Sequence, residues 1–361
     1  MKVLLAGGGT AGHVNPAIAI AGEIQKNNPD AKFLFIGTKK GLESSLVPKA
    51  GYSIEFVPVE GFKRSLTPHN ISVGVKAAYA IGKVRSIIRT FKPDIAIGTG
   101  GYVSGPAMYA AHLCKVPVMI HEQNVFPGAT NRMVNNFAAV TAISFEESRQ
   151  YFKNKNNIVL TGNPIKRELF TAAPEKNQKP SVLIMGGSLG AEAINNGALA
   201  LIFANKDRFK ITLSTGKGDY DRIIKILEEK DFNIKNQTSV RVVPYIYDTP
   251  QAYAGADLVI ARSGAITVSE LAALGKPSVL IPSPNVTHNH QEYNAKALAD
   301  CGGAVMIKEA QLTDERLIKT VEELITNPVK LKEMSRAAAK AGICDAAKTL
   351  CTIAEKTALK N

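Results

Sequence analysis

KVLLAGGGTAGH, residues 2–13, reads as a short buried strand that breaks into glycines and then opens a helix. The apolar run ends in a tight turn at Gly7-Gly8-Gly9. A strand-to-helix turn gathers unpaired backbone N–H groups and the positive end of a helix dipole at one point. That point suits a phosphate or another anion. The pattern returns in SVLIMGGSLGAE, residues 181–192. Two such turns predict two α/β domains of the nucleotide-binding type, facing each other across a cleft.

The rest of the chain keeps this rhythm. Apolar runs at 3–6, 33–36, 54–57, 95–98, 116–121, 140–143 and 158–161 are spaced by helical patterns such as 16–26 and 71–91. A second set follows at 182–185, 211–215, 240–244, 258–261 and 278–281. Continuous apolar strands alternating with helices argue for parallel sheets covered on both faces. At 361 residues the chain exceeds the usual single core. The stretch 162–180, rich in Pro, Lys, Asn and Gln, is the expected linker. The expected domains are 1–163 and 164–342. The last helical stretch, 331–359, is interrupted at Gly342, and a final helix of 343–361 is expected to return to the first domain.

Composition narrows the class. The 45% apolar and 21% charged content is that of a globular protein. No apolar stretch approaches the roughly 18 residues of a membrane span. The opening MKVLLAGGG has too short an apolar run for a signal peptide. Cys114, Cys301, Cys344 and Cys351 show neither CxxC spacing nor a His at metal spacing, and read as buried, reduced thiols of a cytoplasmic protein.

The net charge of +13 is uneven, with 18 basic against 9 acidic residues in positions 1–164. Between 62 and 92 stand Lys63, Arg64, Lys76, Lys83, Arg85, Arg89 and Lys92 with no acid among them. Ile71, Val75, Tyr79, Val84, Ile87, Ile88 and Phe91 interleave with them. Such a stretch can rest on an anionic membrane surface. It can equally be a surface helix packing Val84, Ile87, Ile88 and Phe91 on its own domain. No stacking-aromatic or recognition-helix pattern accompanies the charge, so nucleic acid is not an expected partner.

The glycine turns are as informative in what they lack. Gly7 to Gly12 match GxGxxG, but Lys39 and Lys40 stand where a dinucleotide site wants an acid for the ribose. No Lys-Ser/Thr follows Gly186-Gly187-Ser188-Leu189-Gly190, so it is not a P-loop. Both turns fit a diphosphate held by backbone donors; the alternative is that the glycines serve only the tight turn. Asp219-Tyr220-Asp221 spells DxD, a metal-holding spacing in some sugar-nucleotide enzymes, yet it opens a helical pattern and reads as a cap. His288-Asn289-His290 has no third ligand and reads as a polar substrate loop. A third anion-facing turn lies at Ser263-Gly264, with Glu270 in the helix that follows. Its carboxylate can accept two hydrogen bonds from ribose hydroxyls, or serve as a first-turn dipole partner.

Six motifs in one order span nearly the whole chain: GGGTAGHVNPAIAIA, GTGGYVSGPA, HEQNVFPGATNR, TGNP, GGSLGAEAIN and RSGAITVSELAALGKP. Together they resemble the MurG family, bacterial N-acetylglucosaminyltransferases that convert lipid I to lipid II in peptidoglycan synthesis. The resemblance implies an α/β GT-B fold with two Rossmann-like domains. It implies UDP-N-acetylglucosamine as donor in the C-terminal domain. The N-terminal domain would take undecaprenyl-diphosphate-linked N-acetylmuramoyl pentapeptide (lipid I), on the cytoplasmic face of the cell membrane as a peripheral protein, with anionic lipids against 62–92. It implies no cofactor and no metal.

Carried onto matching positions, the resemblance puts Ser188 and its turn at the diphosphate. Arg262, Ala265, Ile266 and Thr267 line the nucleotide, with Glu270 on the ribose. Ile246 presents its backbone to the uracil edge, and Gln291 meets the donor sugar or diphosphate. Thr10, Ala11 and Gly12 reach the donor phosphate or acceptor diphosphate, and Asn124 faces the N-acetylglucosamine. Relatives carry Arg shortly after Gly-Asn-Pro; here Lys166 or Arg167 takes that place, and Lys lacks the bidentate fork. Glu292 follows Gln291 where some relatives have a second Gln.

An α-linked donor and a β-1,4 product require inversion at the anomeric centre in one displacement. A base must take the proton of the acceptor 4-hydroxyl, and the leaving diphosphate needs stabilisation. His13 is the candidate base, since an unperturbed His titrates near pH 6.5, with a loop hydrogen-bonding role as its alternative. His121 and Glu122 are the rival acid–base pair. A UDP-N-acetylglucosamine epimerase and a non-catalytic UDP-sugar-sensing membrane scaffold are the competing classes. A dehydrogenase is weakened by Lys39 and Lys40.

Overall fold

A computed structural model of the chain describes all residues except 61–67, 174–178, 188–189, 235–236 and 360–361; of 68–71 it describes the backbone alone. The chain divides into two compact units, Met1–Pro164 with Cys344–Asn361, and Ile165–Ile343.

Unit 1 begins β1 (Lys2–Gly7), α1 (Ala11–Asn27), β2 (Lys32–Gly37), α2 (Glu43–Lys49), β3 (Ser53–Phe56) and α3 (Pro68–Phe91). It continues β4 (Ile95–Gly100), α4 (Ser104–Leu113), β5 (Val118–Glu122), α5 (Ala129–Val134), β6 (Val140–Ile143) and β7 (Ile158–Leu160). The sheet order is β3-β2-β1-β4-β5-β6-β7, and its described pairs are parallel. Alternation along β1 sends Val3 and Leu5 to one core and Leu4 and Ala6 to another. Both faces are therefore covered, as continuous apolar strands require.

Unit 2 runs β8 (Ser181–Met185), α6 (Glu192–Ala204), β9 (Lys210–Ser214), α7 (Tyr220–Glu229), β10 (Val240–Val243), α8 (Thr249–Ala254) and β11 (Leu258–Ala261). It closes with α9 (Ala265–Ala273), β12 (Ser278–Leu280), α10 (His290–Asp300), β13 (Ala304–Met306), α11 (Asp314–Ile325) and α12 (Pro328–Ala341). The order β10-β9-β8-β11-β12-β13 repeats that of unit 1 up to its last strand. After Gly342 the chain enters α13 (Ala346–Ala358), whose Leu350, Cys351 and Ala354 share a core with Val3, Leu5 and α1 of unit 1.

Three sequence expectations change. β13 was hidden by its length of three residues behind Gly302-Gly303, too short to show a period. Of the cysteines only Cys351 is buried; Cys301 and Cys344 are exposed, because they lie in the connections after α10 and α12. Along α3, Ala80, Val84 and Ile88 face the unit 1 core and Val73 is buried, whereas Val75 and Tyr79, one turn apart, are 66% and 63% exposed. Lys76 is paired with Glu60 just outside the acid-free stretch, at 2.7 Å, and Lys83 donates to the Phe56 carbonyl. Lys63 and Arg64 lie outside the described residues.

Candidate active site

In unit 2 the strand order reverses between β8 and β11, and a ligand crevice is expected beyond the carboxyl ends of strands at such a point. A cavity of about 160 Å³ lies there, lined by Met185, Gly187, Ser214, Ile246, Arg262 and Thr267 among others. Gly187 has φ +91°, and an added Cβ would meet nothing within 4 Å, so the backbone is open to a ligand. Ser188, the expected diphosphate contact, lies outside the described residues. The other donor group is the start of α9. Its first intrahelical bond is Val268 N–H to the Gly264 carbonyl, which leaves the Ala265, Ile266 and Thr267 amides as first-turn donors. Ser263 beneath them is structural: its hydroxyl donates to the Gln291 carbonyl at 2.8 Å, and Asn294 donates to its own carbonyl.

Glu270 is the sixth residue of α9, beyond the first turn, which removes the dipole-partner reading. Its carboxylate accepts the Tyr253 hydroxyl of α8 at 3.1 Å. Burial raises its pKa, against the opposing pull of that hydroxyl and the Lys166 charge. Lys166 is thus near enough to act on Glu270. Arg262 donates to the Ile281 carbonyl at 3.1 Å and pairs with Glu309, so one edge of its guanidinium is fixed while its side chain still lines the cavity. Gln291 Oε1 accepts the Ser283 amide at 2.9 Å, which orients the side-chain amide. Glu292, by contrast, is engaged by Lys308 and Asn289. The Lys308 ammonium, with help from Asn289, lowers its pKa. Just before α10, His288 and Asn289 both take left-handed backbone, φ +55° and +53°. Consecutive non-glycine residues in that region are strained, a feature of ligand loops.

The DxD pair is spent elsewhere. Asp219 holds the N-cap position of α7 without a side-chain cap; its carboxylate binds Arg222 and the Asn195 amide. Among the described residues no three His, Cys, Asp or Glu side chains group as metal ligands.

In unit 1 the same reversal falls between β1 and β4. Gly9 mirrors Gly187, with φ +85° and open space where a Cβ would stand. Here, however, the sequence concealed a carboxylate. Glu43, 1% exposed, accepts the Gly9 amide at 2.9 Å and the Thr38 amide and hydroxyl at 2.9 and 2.7 Å. Thr10 caps α1 by its backbone, leaving the Ala11 and Gly12 amides without a partner among the described residues. The Thr10, Ala11 and Gly12 amides are thus without a partner among the described residues, with a buried carboxylate behind Gly9.

Burial works to raise the Glu43 pKa, but the Gly9 and Thr38 bonds overrule it and hold the carboxyl below its ordinary value of 4.5. The folded state therefore prefers the ionised form. That stabilisation is complete above the unfolded value and lost as pH falls through the lowered folded one. Unfolding midpoints of Glu43→Gln, measured from neutral to acid pH, should fall less steeply over that window than those of the parent. Parallel profiles would remove this role.

His13 lies in the first helical turn of α1. Its carbonyl accepts the Thr99 hydroxyl at 2.7 Å, and its ring packs on Gly100, where a Cβ would lie 2.9 Å from Nδ1. Nδ1 is 3.1 Å from Gln123 Oε1. Glu122 is 1% exposed and committed to its own loop: it accepts the Asn124 and Gly128 amides at 3.0 Å and the Asn131 side chain at 2.9 Å. The Asn124 side chain points to the same carboxylate at 3.4 Å.

The glycosyltransferase family 28 N-terminal domain matches residues 3–143, and the family's C-terminal domain matches residues 181–350. The chain belongs to glycosyltransferase family 28. One family 28 relative, from Acetivibrio thermocellus, is 45% identical over 372 residues, covering 100% of this chain and 99% of its own. It is named UDP-N-acetylglucosamine–N-acetylmuramyl-(pentapeptide) pyrophosphoryl-undecaprenol N-acetylglucosamine transferase. Among solved structures, Acinetobacter baumannii MurG superposes with a TM-score of 0.82 at 29% identity, covering 98% of this chain and 99% of that one. The family 28 chain is thus GT-B-like, two α/β domains each with a parallel sheet. A Neisseria meningitidis UDP-GlcNAc 2-epimerase superposes at 0.68 with 18% identity and full coverage of both chains, a likeness of fold alone.

Proposed function

We infer that this chain transfers N-acetylglucosamine from UDP-N-acetylglucosamine to lipid I, giving lipid II for peptidoglycan synthesis. The observation that carries the inference is the 45% identity to a transferase of that name over the whole of both chains. The unit 2 cavity supports it, because a switch-point crevice reached by the start of α9 and by Arg262 suits a nucleoside diphosphate.

In this reading UDP is held on unit 2. Ala265, Ile266 and Thr267 amides and Arg262 meet the diphosphate, Ile246 the uracil, Glu270 the ribose and Gln291 the sugar or diphosphate. Lys166 or Arg167 takes the place of the family Arg, and of the two the Lys166 charge works to lower the Glu270 pKa. From unit 1, Thr10, Ala11 and Gly12 contact phosphate, and Asn124 meets the N-acetylglucosamine. His13 accepts the proton of the acceptor 4-hydroxyl as its oxygen bonds to the anomeric carbon. The bond from that carbon to the diphosphate breaks, and its electron pair leaves with UDP. Glu122 holds the 122–131 loop rather than moving the proton, since its oxygens already meet the donors named above. The test is transfer of labelled N-acetylglucosamine to a short-chain lipid I analogue in the presence of EDTA. Labelled disaccharide-lipid with equal UDP supports the reading; UDP-sugar binding without transfer, or epimer formation, overturns it.

The proposal extends to a peripheral site on the cytoplasmic face of the membrane. Among the described residues no helix is long and apolar enough to cross one. Exposed Val75 and Tyr79 on a helix that also carries Arg85 and Arg89, with Lys92 just past its end, suit contact with anionic lipid. Replacing both Val75 and Tyr79 by Ser should weaken binding to phosphatidylglycerol vesicles by roughly tenfold. Transfer to the soluble short-chain acceptor should not change. Unaltered vesicle binding would remove this surface from the proposal.

A further inference from the structure

A chain of buried hydrogen bonds runs behind the His13 ring. It passes from His13 to Gln123, then to His121, and ends on Gly162 and Ser144. We propose that Gln123 is a positioning residue that passes the fixed tautomer of His121 on to His13. Neutral His13 is thereby protonated on Nδ1 and presents the lone pair of Nε2 to the acceptor hydroxyl. The proposal deepens the reading of His13 as the base and rests on it.

The protons follow from which atoms can only accept. His121 is fully buried. Its Nε2 lies 3.0 Å from the Gly162 carbonyl, which can only accept. Nε2 also lies 3.2 Å from Ser144 Oγ, whose own hydrogen is given to the Glu122 carbonyl at 2.7 Å. Facing two acceptors, Nε2 must be the N–H. Burial lowers the pKa of His121 to about 4, against the small opposing effect of the Gly162 bond, so near neutral pH the ring carries that one proton alone. Nδ1 then holds the lone pair and accepts from Gln123 Nε2 at 3.0 Å.

This fixes the Gln123 amide. Its Nε2 donates both to His121 Nδ1 and to the His121 carbonyl, the latter at 3.1 Å. The flipped amide would point its oxygen at two acceptors. Oε1 therefore faces His13, and His13 Nδ1 must be the donor across the 3.1 Å contact. In a neutral ring the lone pair is left on Nε2. The contact persists once His13 has taken a proton, because the acceptor is a carbonyl oxygen. The scaffold is specific at both ends. Asn163 donates to the Gln123 backbone carbonyl at 3.0 Å, and Gly100 leaves room for the His13 ring. The TGNP segment thus supplies the acceptor on which the chain ends and the side chain that steadies its middle.

Selective ¹⁵N labelling of histidine gives a direct test, since the protein has six. In the unaltered enzyme His13 should show a protonated Nδ1 and an unprotonated Nε2, and His121 the reverse. In Gln123→Met, of similar shape but with no acceptor, His13 should shift toward the Nε2–H form that predominates in water. Its kcat should fall by roughly 10- to 100-fold, with KM for UDP-N-acetylglucosamine and for the lipid I analogue within about twofold of the parent. An Nε2–H tautomer at His13 in the unaltered enzyme overturns the proposal, with no variant needed. So does an unchanged tautomer and kcat in Gln123→Met while His13→Ala is inactive. Full turnover in His13→Ala would instead overturn the base reading, and the tautomers of the unaltered enzyme would still report on the chain.

Discussion

His13→Ala is expected to lower kcat for N-acetylglucosamine transfer by about 10²- to 10⁴-fold, the usual worth of a placed general base. The dissociation constant for UDP-N-acetylglucosamine should stay within about twofold of the parent. The separation follows from where the residues lie: those lining the cavity proposed for the nucleotide belong to unit 2, and His13 belongs to unit 1. Titration calorimetry with UDP-N-acetylglucosamine, set beside turnover with a short-chain acceptor, reads both quantities. A loss of UDP affinity matching the loss of kcat would defeat the assignment.

The complementary result is expected at Glu270. If Glu270 takes the ribose hydroxyls as proposed, losing its carboxylate costs about 1.5–3 kcal/mol, and Glu270→Ala should weaken UDP binding roughly 10- to 100-fold. The pH dependence sharpens this expectation. Burial raises the Glu270 pKa in the unliganded protein above the ordinary 4.5, in spite of Tyr253 and Lys166. Ribose hydroxyls donate to the ionised form and pull the value back down on binding. The bound state then holds fewer protons, so affinity should decline as pH falls through the raised value and be flat above it. Glu270→Gln has no such group to titrate and should lose that limb. If its profile follows the parent's, the titrating group lies elsewhere and Glu270 does not touch the ribose.

The two α/β halves were legible because buried parallel strands are written as continuous apolar runs. The runs at 140–143 and 258–261 are β6 and β11 to the residue. The glycine turns were legible for a related reason: Gly9 and Gly187 adopt backbone that side chains avoid. The residues that the site leans on were harder to see. Glu43 sits in ESSLVPK with no motif around it, and its meaning comes from Gly9, 34 positions away. Gln123 stood inside a quoted motif, but an uncharged amide shows no chemistry until its two neighbours are known. Glu122 is the converse case: a carboxylate beside a His looks like an acid–base pair, and only the fold shows that it also accepts from Gly128 and Asn131 of its own loop.

The docking of α13 against α1 and β4 has a consequence during synthesis. Unit 2 is one uninterrupted stretch, whereas unit 1 draws its last helix from beyond it. The half of the protein made first is therefore completed last: unit 2 can finish its core on the ribosome while unit 1 still waits for Leu350, Cys351 and Ala354. Until then the side of α1 that α13 covers is exposed. Cys351 marks the moment of closure. Its thiol is pushed up to about 12, first by burial and then by the Glu355 carboxylate, so it resists alkylation once α13 has docked and reacts freely before.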